Sequence, residues 1–335
     1  MVNLKKIILL CTLVLFVVCG CGKFTADKAL SEFKKDVESS KSYLVSGTME
    51  IRSDEDIFTY ALEAAFKKDD MYKVTLVNQT NNHEQVILKN AEGVYVINPS
   101  LNKSFKFQSE WPHNSSQAYL LGSLVKDLEN MEELVLEERD GQYIMKANVN
   151  YPNNPDLVYE KIYFNKEMEP TIIEVYNAEE VLKIKVSYTK VDYKAALDDE
   201  YFSLEGIVDE NCCESDASET SNMQDIIYPL YVPANTYLNS KETIDTDKGE
   251  RVILTFNGEK NFVLVEEKAK AESVFEVIPV YGDPLIVNDT VAALSANSLS
   301  WTSNSIDYYL VGKDLTTFEL LSIAKSLGNT ISVNK

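Results

Sequence analysis

The 335-residue sequence predicts a mainly β protein of the α+β class, with a curved antiparallel sheet followed by a small α+β domain. Three observations predict it. Apolar and polar residues alternate over most of residues 43–188, which is the period of strands with one buried face. Helical spacing of three and four residues occurs at two places, one before this stretch and one inside it. Residues 207–225 lose this periodicity and are rich in Asp, Glu, Ser and Thr, as linkers are.

Two helices are predicted in the first part. One begins behind Thr25, a residue type that caps helix N-termini, and its apolar stripe is Ala26, Leu30, Phe33 and Val37. The other follows the loop at residues 112–116, and its stripe is Tyr119, Leu120, Leu124 and Leu128. Because a sheet with one apolar face must be covered, we expect both helices to lie on that face.

Three runs of alternating residues define the apolar face of the predicted sheet. They are Tyr43, Val45, Gly47, Met49 and Ile51, then Phe58, Tyr60, Leu62, Ala64 and Phe66, then Tyr72, Val74 and Leu76. Further strands are predicted at residues 86–88, 94–97, 105–107, 134–136, 143–149, 157–164, 172–176 and 182–188. Such a sheet must curl, because its edges and its apolar face would otherwise be exposed to water.

Residues 1–20 are predicted to be a signal peptide. Lys5 and Lys6 give the positive start, and the apolar run at residues 7–18 is shorter than the roughly 20 residues of a transmembrane helix. The end of the segment resembles the lipobox of bacterial lipoproteins, which implies a diacylglycerol, with chains such as palmitate, on Cys21. An ordinary signal peptide is the alternative. Two acyl chains anchor stably, so we expect this protein on the extracytoplasmic face of a Gram-positive-type cell membrane.

The chain is strongly acidic, with a formal charge of −21 at pH 7. This charge repels phosphate backbones, so nucleic acid is not expected as a partner. The length favours two domains, which we place at residues 21–206 and 226–335 with an acidic linker at residues 207–225. Cys212 and Cys213 in the linker are adjacent, and a disulfide between them would be strained. We expect the pair to have no function, and the alternative is that it binds a metal or takes part in redox chemistry.

Three segments of the first domain resemble the LolA-like family of lipoprotein carriers. They lie at residues 43–49, 93–99 and 163–176, and their order and spacing carry the resemblance, which extends from residue 24 to about residue 205. The resemblance implies an incomplete antiparallel β-barrel with a helical lid. In that family the hydrophobic hollow of the barrel holds acyl chains or binds a protein partner.

The same resemblance gives candidate residues for binding an acyl chain or a protein. Most are expected along the apolar inside of the bent strands. Lys68 stands where the family often has a basic residue near the lid, while Asp69 replaces the proline that usually follows it. The candidates are Tyr43, Val45, Met49, Tyr60, Leu62, Tyr72, Val74, Tyr95, Ile97 and Lys68.

The second domain combines strands with a closing helix. Asn257-Gly258 lies between two alternating runs and indicates a hairpin. Thr316 and Glu319 have the spacing of a capping box, and the apolar stripe predicted behind them is Phe318, Leu321, Ala324 and Leu327. Trp301 and the segments at residues 308–312 and 319–327 resemble the domain-of-unknown-function 4367 family. That resemblance implies partner binding or modulation, and no chemistry.

The sequence offers few groups for catalysis. Its two histidines, His83 and His113, stand beside Asn in polar turns, where a surface position is expected. Ser123 has Ser-x-x-Lys spacing without the companion motifs of penicillin-recognising enzymes. Residues 245–250 differ from a calcium loop in an early glycine and an internal lysine. We therefore expect no catalytic residues, no metal site and no cofactor.

Together these inferences predict a membrane-anchored binding lipoprotein that is not an enzyme. Its sheet is expected to offer a hydrophobic surface to an acyl chain or to an envelope protein. The two family resemblances indicate a role in sporulation, germination or envelope regulation. A permanent tether argues against shuttling between membranes, so an envelope protein partner is favoured. The alternatives are a lipid or lipoprotein carrier or chaperone, a scaffold whose second domain covers the sheet, and an envelope hydrolase.

Overall fold

The computed structural model describes residues 24–52, 56–211, 226–246, 249–270 and 275–327. The predicted signal peptide, Cys21, Cys212 and Cys213 lie outside these residues. The α-helices are α1 (Ala26–Ser39), α2 (Leu121–Glu129), α3 (Leu204–Asn211) and α4 (Thr317–Ser326). Within the described ranges, no helix has both the length and the apolar composition needed to cross a bilayer.

The strands belong to two sheets. The N-terminal part contributes β1 (Ser42–Arg52), β2 (Ile57–Lys67), β3 (Met71–Asn78), β4 (Glu84–Asn90), β5 (Gly93–Asn98), β6 (Lys103–Phe107), β7 (Leu136–Arg139), β8 (Gln142–Asn148), β9 (Leu157–Phe164), β10 (Pro170–Asn177) and β11 (Leu182–Asp192). The C-terminal part contributes β12 (Thr236–Thr246), β13 (Gly249–Gly258), β14 (Phe262–Lys268), β15 (Glu276–Val280), β16 (Asp283–Val287), β17 (Thr290–Leu294), β18 (Ser298–Ser303) and β19 (Ile306–Val311).

The large sheet has twelve strands in the order β15-β6-β5-β4-β3-β2-β1-β11-β10-β9-β8-β7. Its neighbouring strands are antiparallel except β15 and β6, which run parallel. Within the described residues its edge strands β15 and β7 do not pair with each other, so the curved sheet stays open. The predicted fold class, a curved and incomplete antiparallel barrel with helices over it, is therefore confirmed.

Helices α1 and α2 cover one face of the large sheet, which we call the inner face. Thr25 caps α1 as predicted, because its hydroxyl accepts a hydrogen bond from the Lys28 N–H at 3.3 Å. Phe33 of α1 is fully buried, and its ring lies 5.1 Å from the ring of Phe164 on β9. The alternating apolar residues of β1, β2 and β3 face the same core. The helices therefore fill most of the hollow that the strands enclose.

The opposite face, which we call the outer face, carries a smaller core. Helix α3, which the sequence analysis did not predict, packs there together with the preceding 3₁₀ turn. Ile207 of α3 is buried beside Phe202 of that turn. The helix includes Ile207 and continues to Asn211, so the predicted linker at residues 207–225 is wrong at its start. Residues 212–225 lie outside the described part of the chain.

The C-terminal part forms a second, seven-stranded antiparallel sheet in the order β12-β13-β14-β19-β18-β17-β16. The predicted hairpin is present, with β13 and β14 paired in register from Arg251 and Glu267 to Phe256 and Phe262. Helix α4 packs on one face of this sheet, over a core that includes Leu264. The prediction of strands with a closing helix is thus correct for this part, while β15 leaves it to join the large sheet.

Helix α4 begins at a complete capping box. The Thr316 hydroxyl accepts from the Glu319 N–H at 3.2 Å, and the Glu319 carboxylate accepts from the Thr316 N–H at 2.8 Å. The predicted stripe is wrong at Phe318, which is 61 % exposed. Leu320 and Ile323 are buried instead, because with Ala324 and Leu327 they have the i, i+3, i+4, i+7 spacing of a core-facing helix. Gly328, a residue type that commonly follows the end of a helix, lies beyond the described residues.

Removing the Thr316 hydroxyl tests this cap. Thr316→Ala should lower the free energy of unfolding by about 1 kcal/mol, since one N–H of the first turn loses its acceptor. Urea denaturation followed by circular dichroism measures the change. Thr317→Ala, one residue further along, serves as a matched control and should cost less. Equal losses in the two variants would show that the cap does not stabilise α4.

Candidate functional site

The C-terminal part packs directly against the large sheet. Strand β15 extends that sheet beside β6. Lys103 Nζ lies 2.8 Å from Asp307 Oδ2, and the lysine is only 5 % exposed. The Val291 N–H donates to Gln85 Oε1 at 2.7 Å. Because these buried polar groups are paired with one another, they favour one defined arrangement of the two parts.

A cleft with an internal volume of about 190 Å³ lies between the two parts, and we call it the interunit cleft. Strands of the large sheet supply its floor, with Met49, Ile87, Leu157 and Ile184. Strands β16 and β17 supply one wall, with Pro284, Leu285, Ile286 and Val291. Two loops, at residues 111–119 and 151–154, supply the rest. Ligand pockets typically have a mainly apolar lining and about 300–1,000 Å³. This cleft shares the apolar lining but is smaller, so it has room for a side chain rather than for a whole drug-sized ligand.

Hydrogen bonds fix the rim of the interunit cleft. The Ser109 hydroxyl and the Asn114 amide both donate to Asp283 Oδ1, at 2.6 and 3.0 Å. These bonds join the first loop to β16. The Tyr119 hydroxyl donates to Gln117 Oε1 at 2.6 Å within the same loop. The rim therefore presents polar groups around an apolar interior, held in place by contacts between the two parts.

Two buried acids lie close to Tyr151 of the cleft wall: Asp127 on α2 and Glu160 on β9. Glu160 is 0 % exposed, and neither of its carboxyl oxygens has a hydrogen-bond partner within the described residues. Burial, with Asp127 nearby, raises the pKa of Glu160 well above its ordinary value. Burial also raises the pKa of Asp127 to about 6, although a hydrogen bond with Ser116 opposes it. Burial therefore favours the protonated, uncharged form of each acid more than water does.

A second cleft, with an internal volume of about 290 Å³, opens where α1 and α2 meet the large sheet, and we call it the lid cleft. Val37, Tyr43, Phe66 and Tyr72 make its lining mainly apolar, and Lys68 adds an exposed amine. The rings of Tyr43 and Phe66 stack at 5.0 Å. The interunit cleft and the lid cleft both open beside the inner-face core.

Eight of the ten predicted binding residues belong to this inner face or its rim. Tyr43, Tyr72 and Lys68 line the lid cleft, and Met49 lines the interunit cleft. Val45, Tyr60, Leu62 and Val74 are buried in the core between the clefts. The Tyr60 hydroxyl also donates to the Asn288 carbonyl at 3.0 Å, which ties β2 to the C-terminal part. Binding by any of these residues stays a prediction.

Tyr95 and Ile97 lie on the outer face, so the structure does not bring them to the other eight. Their neighbours Val94 and Val96 face the inner core instead. All four residues are at most 2 % exposed. Because β5 is buried on both faces, its sequence does not show which residues point inward.

The loops of the interunit cleft and the acid Glu160 were missed from the sequence. The loops carry no periodic pattern, and β16 and β17 come together with β1 only through tertiary structure. The sequence did indicate that Glu160 is buried. It lies on the same face of β9 as Ile162 and Phe164, which both face the inner core. An acid on that face is expected to be buried.

The histidines and the serine that were considered for catalysis lie in ordinary structural contacts. His113 Nε2 lies 2.6 Å from Asp70 Oδ1 at the surface. His83 is half-buried rather than on the surface, and burial lowers its pKa while Asp289 opposes that shift. The Ser123 hydroxyl accepts from the Gln117 N–H at 2.7 Å. Among the residues that the structure describes, no three His, Cys, Asp or Glu side chains are grouped to hold a metal ion.

Two solved structures cover much of this chain with low similarity. A chain of the MucA/MucB complex of Pseudomonas aeruginosa is 11% identical, with a TM-score of 0.31, covering 89% of this chain and 97% of that chain. A LolA superfamily protein from Nitrosomonas europaea is 13% identical, with a TM-score of 0.32, covering 54% of this chain and 98% of that chain. At these TM-scores neither structure supports a conclusion about function.

Sequence comparisons are more informative. The family profile described as "Sporulation protein YdcC-like" matches residues 5–202. Over 329 residues, this sequence is 34% identical to a protein of Bacillus subtilis (strain 168) named sporulation protein YdcC, covering 96% of this chain and 97% of that protein. The resemblance of the C-terminal part to the domain-of-unknown-function 4367 family stays a prediction. Both matches place this chain in the family of sporulation protein YdcC-like proteins.

Proposed function

We propose that this protein is a lipoprotein of the sporulating cell envelope that binds an envelope protein partner through the interunit cleft. The observation that carries the proposal is the cleft itself, which has an apolar interior, a fixed polar rim and walls from both parts of the chain. The family match supports the connection with sporulation. A permanent anchor and a fixed cleft suit a receptor or adaptor at one membrane better than a shuttling carrier.

The chemistry of the cleft favours binding over catalysis. Its polar lining consists of amides, hydroxyls and the carboxylate of Asp283, which already accepts two hydrogen bonds. An acyl-transfer or hydrolytic site needs a nucleophile within hydrogen-bond reach of a base. The described lining contains no histidine or cysteine, and its one serine, Ser115, accepts from the Gln117 amide at 2.7 Å.

The membrane anchor is tested by metabolic labelling. Cells grown with labelled palmitate should incorporate it into the protein, and Cys21→Ala should abolish the label and release the protein from the membrane fraction. Cys19→Ala, two residues earlier, is the matched control and should keep both properties. Equal labelling of Cys21→Ala and its parent would refute anchoring at this residue.

Partner binding is tested by photo-cross-linking in sporulating cells. A benzoylphenylalanine at Asn153, a half-buried residue of the cleft rim, should give a discrete protein adduct. The same probe at Gln79, an exposed residue outside both clefts, should not. Narrowing the cleft with Asn154→Trp should reduce the adduct. Equal adducts from both probe positions would rule out the cleft as the docking site.

A second candidate function is the binding of an acyl chain in the lid cleft. It is favoured by the apolar lining of that cleft and by Lys68, which could pair with an anionic head group. Protein carrying Cys21→Ala has no anchor of its own, so its organic extract can be examined for lipid by mass spectrometry. Bound lipid that disappears in Tyr72→Arg would support this function, and an extract without lipid would end it.

A further inference from the structure

Among the residues that the structure describes, no lysine, arginine or histidine lines the interunit cleft. Its ionisable groups are the carboxylate of Asp283 and the hydroxyls of Tyr119 and Tyr151. The lid cleft differs in this respect, because Lys68 lines it. A ligand carboxylate or phosphate in the interunit cleft would find no counter-charge there, and burial of an unpaired charge is costly.

The charge at and around the cleft is negative. Asp127 and Glu160 lie close to Tyr151, but burial favours their uncharged forms, so the negative charge comes from Asp283 in the lining and from the chain as a whole. The whole chain carries a formal charge of −21, with a sequence pI near 4.6. A cleft with low-dielectric walls concentrates the field of nearby charges of one sign. A positive group at the mouth is therefore attracted, and a negative group is repelled.

The rim has free hydrogen-bonding groups of a kind that suits a peptide. Asn153 and Asn154 are half-buried, and within the described residues their side-chain amides make no hydrogen bond. An amide side chain has both donors and an acceptor, as a peptide backbone has. The interior beside them is apolar, with Leu157 and Ile286 among its side chains. A peptide suits both regions, because its apolar side chain contacts the interior and its flanking backbone forms hydrogen bonds with the rim amides.

From these observations we propose that the interunit cleft holds an apolar side chain presented by a lysine- or arginine-rich polypeptide segment, and rejects acidic segments. This inference rests on the proposed function, since it names the chemistry of the partner that docks there. The apolar side chain enters the cleft, the flanking backbone meets the rim amides, and the basic residues remain at the mouth beside Asp283. Electrostatic complementarity of this kind governs which partner is accepted.

The test measures binding of three fluorescent nine-residue peptides to the mature protein by anisotropy at physiological ionic strength. All three share a central Leu-Phe-Leu core, flanked by Lys in the first, Ser in the second and Glu in the third. The basic peptide should bind at least about tenfold more tightly than the acidic one. Similar affinities for the basic and acidic peptides, or no binding of any peptide, would overturn the inference.

Two variants separate a local effect of the cleft from attraction to the acidic chain as a whole. Asn154→Lys places a positive charge on the cleft rim, whereas Gln79→Lys adds the same charge at an exposed site outside both clefts. Asn154→Lys should lower the affinity for the basic peptide by about tenfold, while Gln79→Lys should change this affinity by less than about twofold. Equal weakening by both variants would assign the binding to net charge and contradict the inference.

The outcomes also distinguish this inference from the proposed function. A protein adduct at Asn153 in cells, together with peptide affinities that do not depend on charge, would leave the docking site standing and refute only the basic partner. Failure of both experiments would refute the docking site as well.

Discussion

Phe33→Ala should lower the free energy of unfolding by about 3–5 kcal/mol, which is the usual cost of removing a fully buried aromatic side chain. The ring lies between α1 and the large sheet, where it contacts Phe164 edge-on at 5.1 Å. Its loss leaves a cavity under the helix that covers the inner face. Urea denaturation of the purified mature protein measures the change.

Phe318→Ala is the matched control for this experiment. It removes the same side chain from α4, but Phe318 is 61 % exposed, so the change should stay within about 0.5 kcal/mol. A small effect at Phe33 would mean that α1 is not held by its buried stripe. In that case α1 could leave the inner face at little cost, and the lid cleft would be much larger than the structure shows.

The stability of the protein should fall between pH 4.5 and pH 7 because of Glu266. This residue is 0 % exposed on β14; its Oε2 accepts from the Ile227 N–H at 3.1 Å, and its Oε1 has no partner within the described residues. Burial raises its pKa from 4.5 to about 7, although the hydrogen bond from Ile227 opposes the shift. The unfolded chain therefore releases this proton at lower pH than the native protein, and native stability decreases by about 3 kcal/mol across the interval.

Glu266→Gln isolates this contribution, since glutamine does not titrate. The difference in unfolding free energy between variant and parent should shift in favour of the variant by about 3 kcal/mol as the pH rises from 4.5 to 7. Taking the difference removes the contributions of Asp127 and Glu160, which are common to both proteins. Glu242→Gln removes the same charge from the exposed strand β12 and reports the effect of net charge alone. A difference that does not vary with pH would show that Glu266 is ionised throughout.

Much of the large sheet could be predicted because its strands have one dominant buried face. Alternation in β1, β2 and β3 gave both the strands and the direction of their side chains, and all of these residues except Gly47 belong to the inner-face core or pack against it. Thr25 and Thr316 were recognisable caps, because capping depends on a few adjacent residues.

The errors have a common physical cause: tertiary contacts bury side chains that the alternation of apolar and polar residues does not identify. Strand β5 is apolar on both faces, so Tyr95 and Ile97 could not be assigned to a face. In α4 two apolar stripes were available, and contact with the second sheet selected the one without Phe318. Helix α3 is short, and its place on the outer face depends on apolar residues far away in the sequence.

The interunit cleft was beyond sequence reasoning for a different reason. Its floor comes from strands near residues 49 and 184, and its wall comes from residues 284–291, so it exists only through the contact between the two parts. That contact depends on pairs such as Lys103 with Asp307, which are separated by 204 residues. The lid cleft is built from residues 37–72 and Gly122, and three of the residues proposed from the family resemblance do line it.

The parallel pairing of β15 with β6 also bears on how the chain avoids self-association. Without β15, strand β6 would end the sheet with a row of free N–H and C=O groups, which invites another chain to add a strand. Strand β15 becomes the edge instead, and it is five residues long and contains Pro279, which has no N–H to donate. At the far end β7 is four residues long, and Glu137, Glu138 and Arg139 point charged side chains into water. Charged side chains therefore protect one edge of the sheet, whereas a short strand that contains a proline protects the other. A chain that ends before residue 276 would lack β15, so β6 would become an exposed edge that favours aggregation.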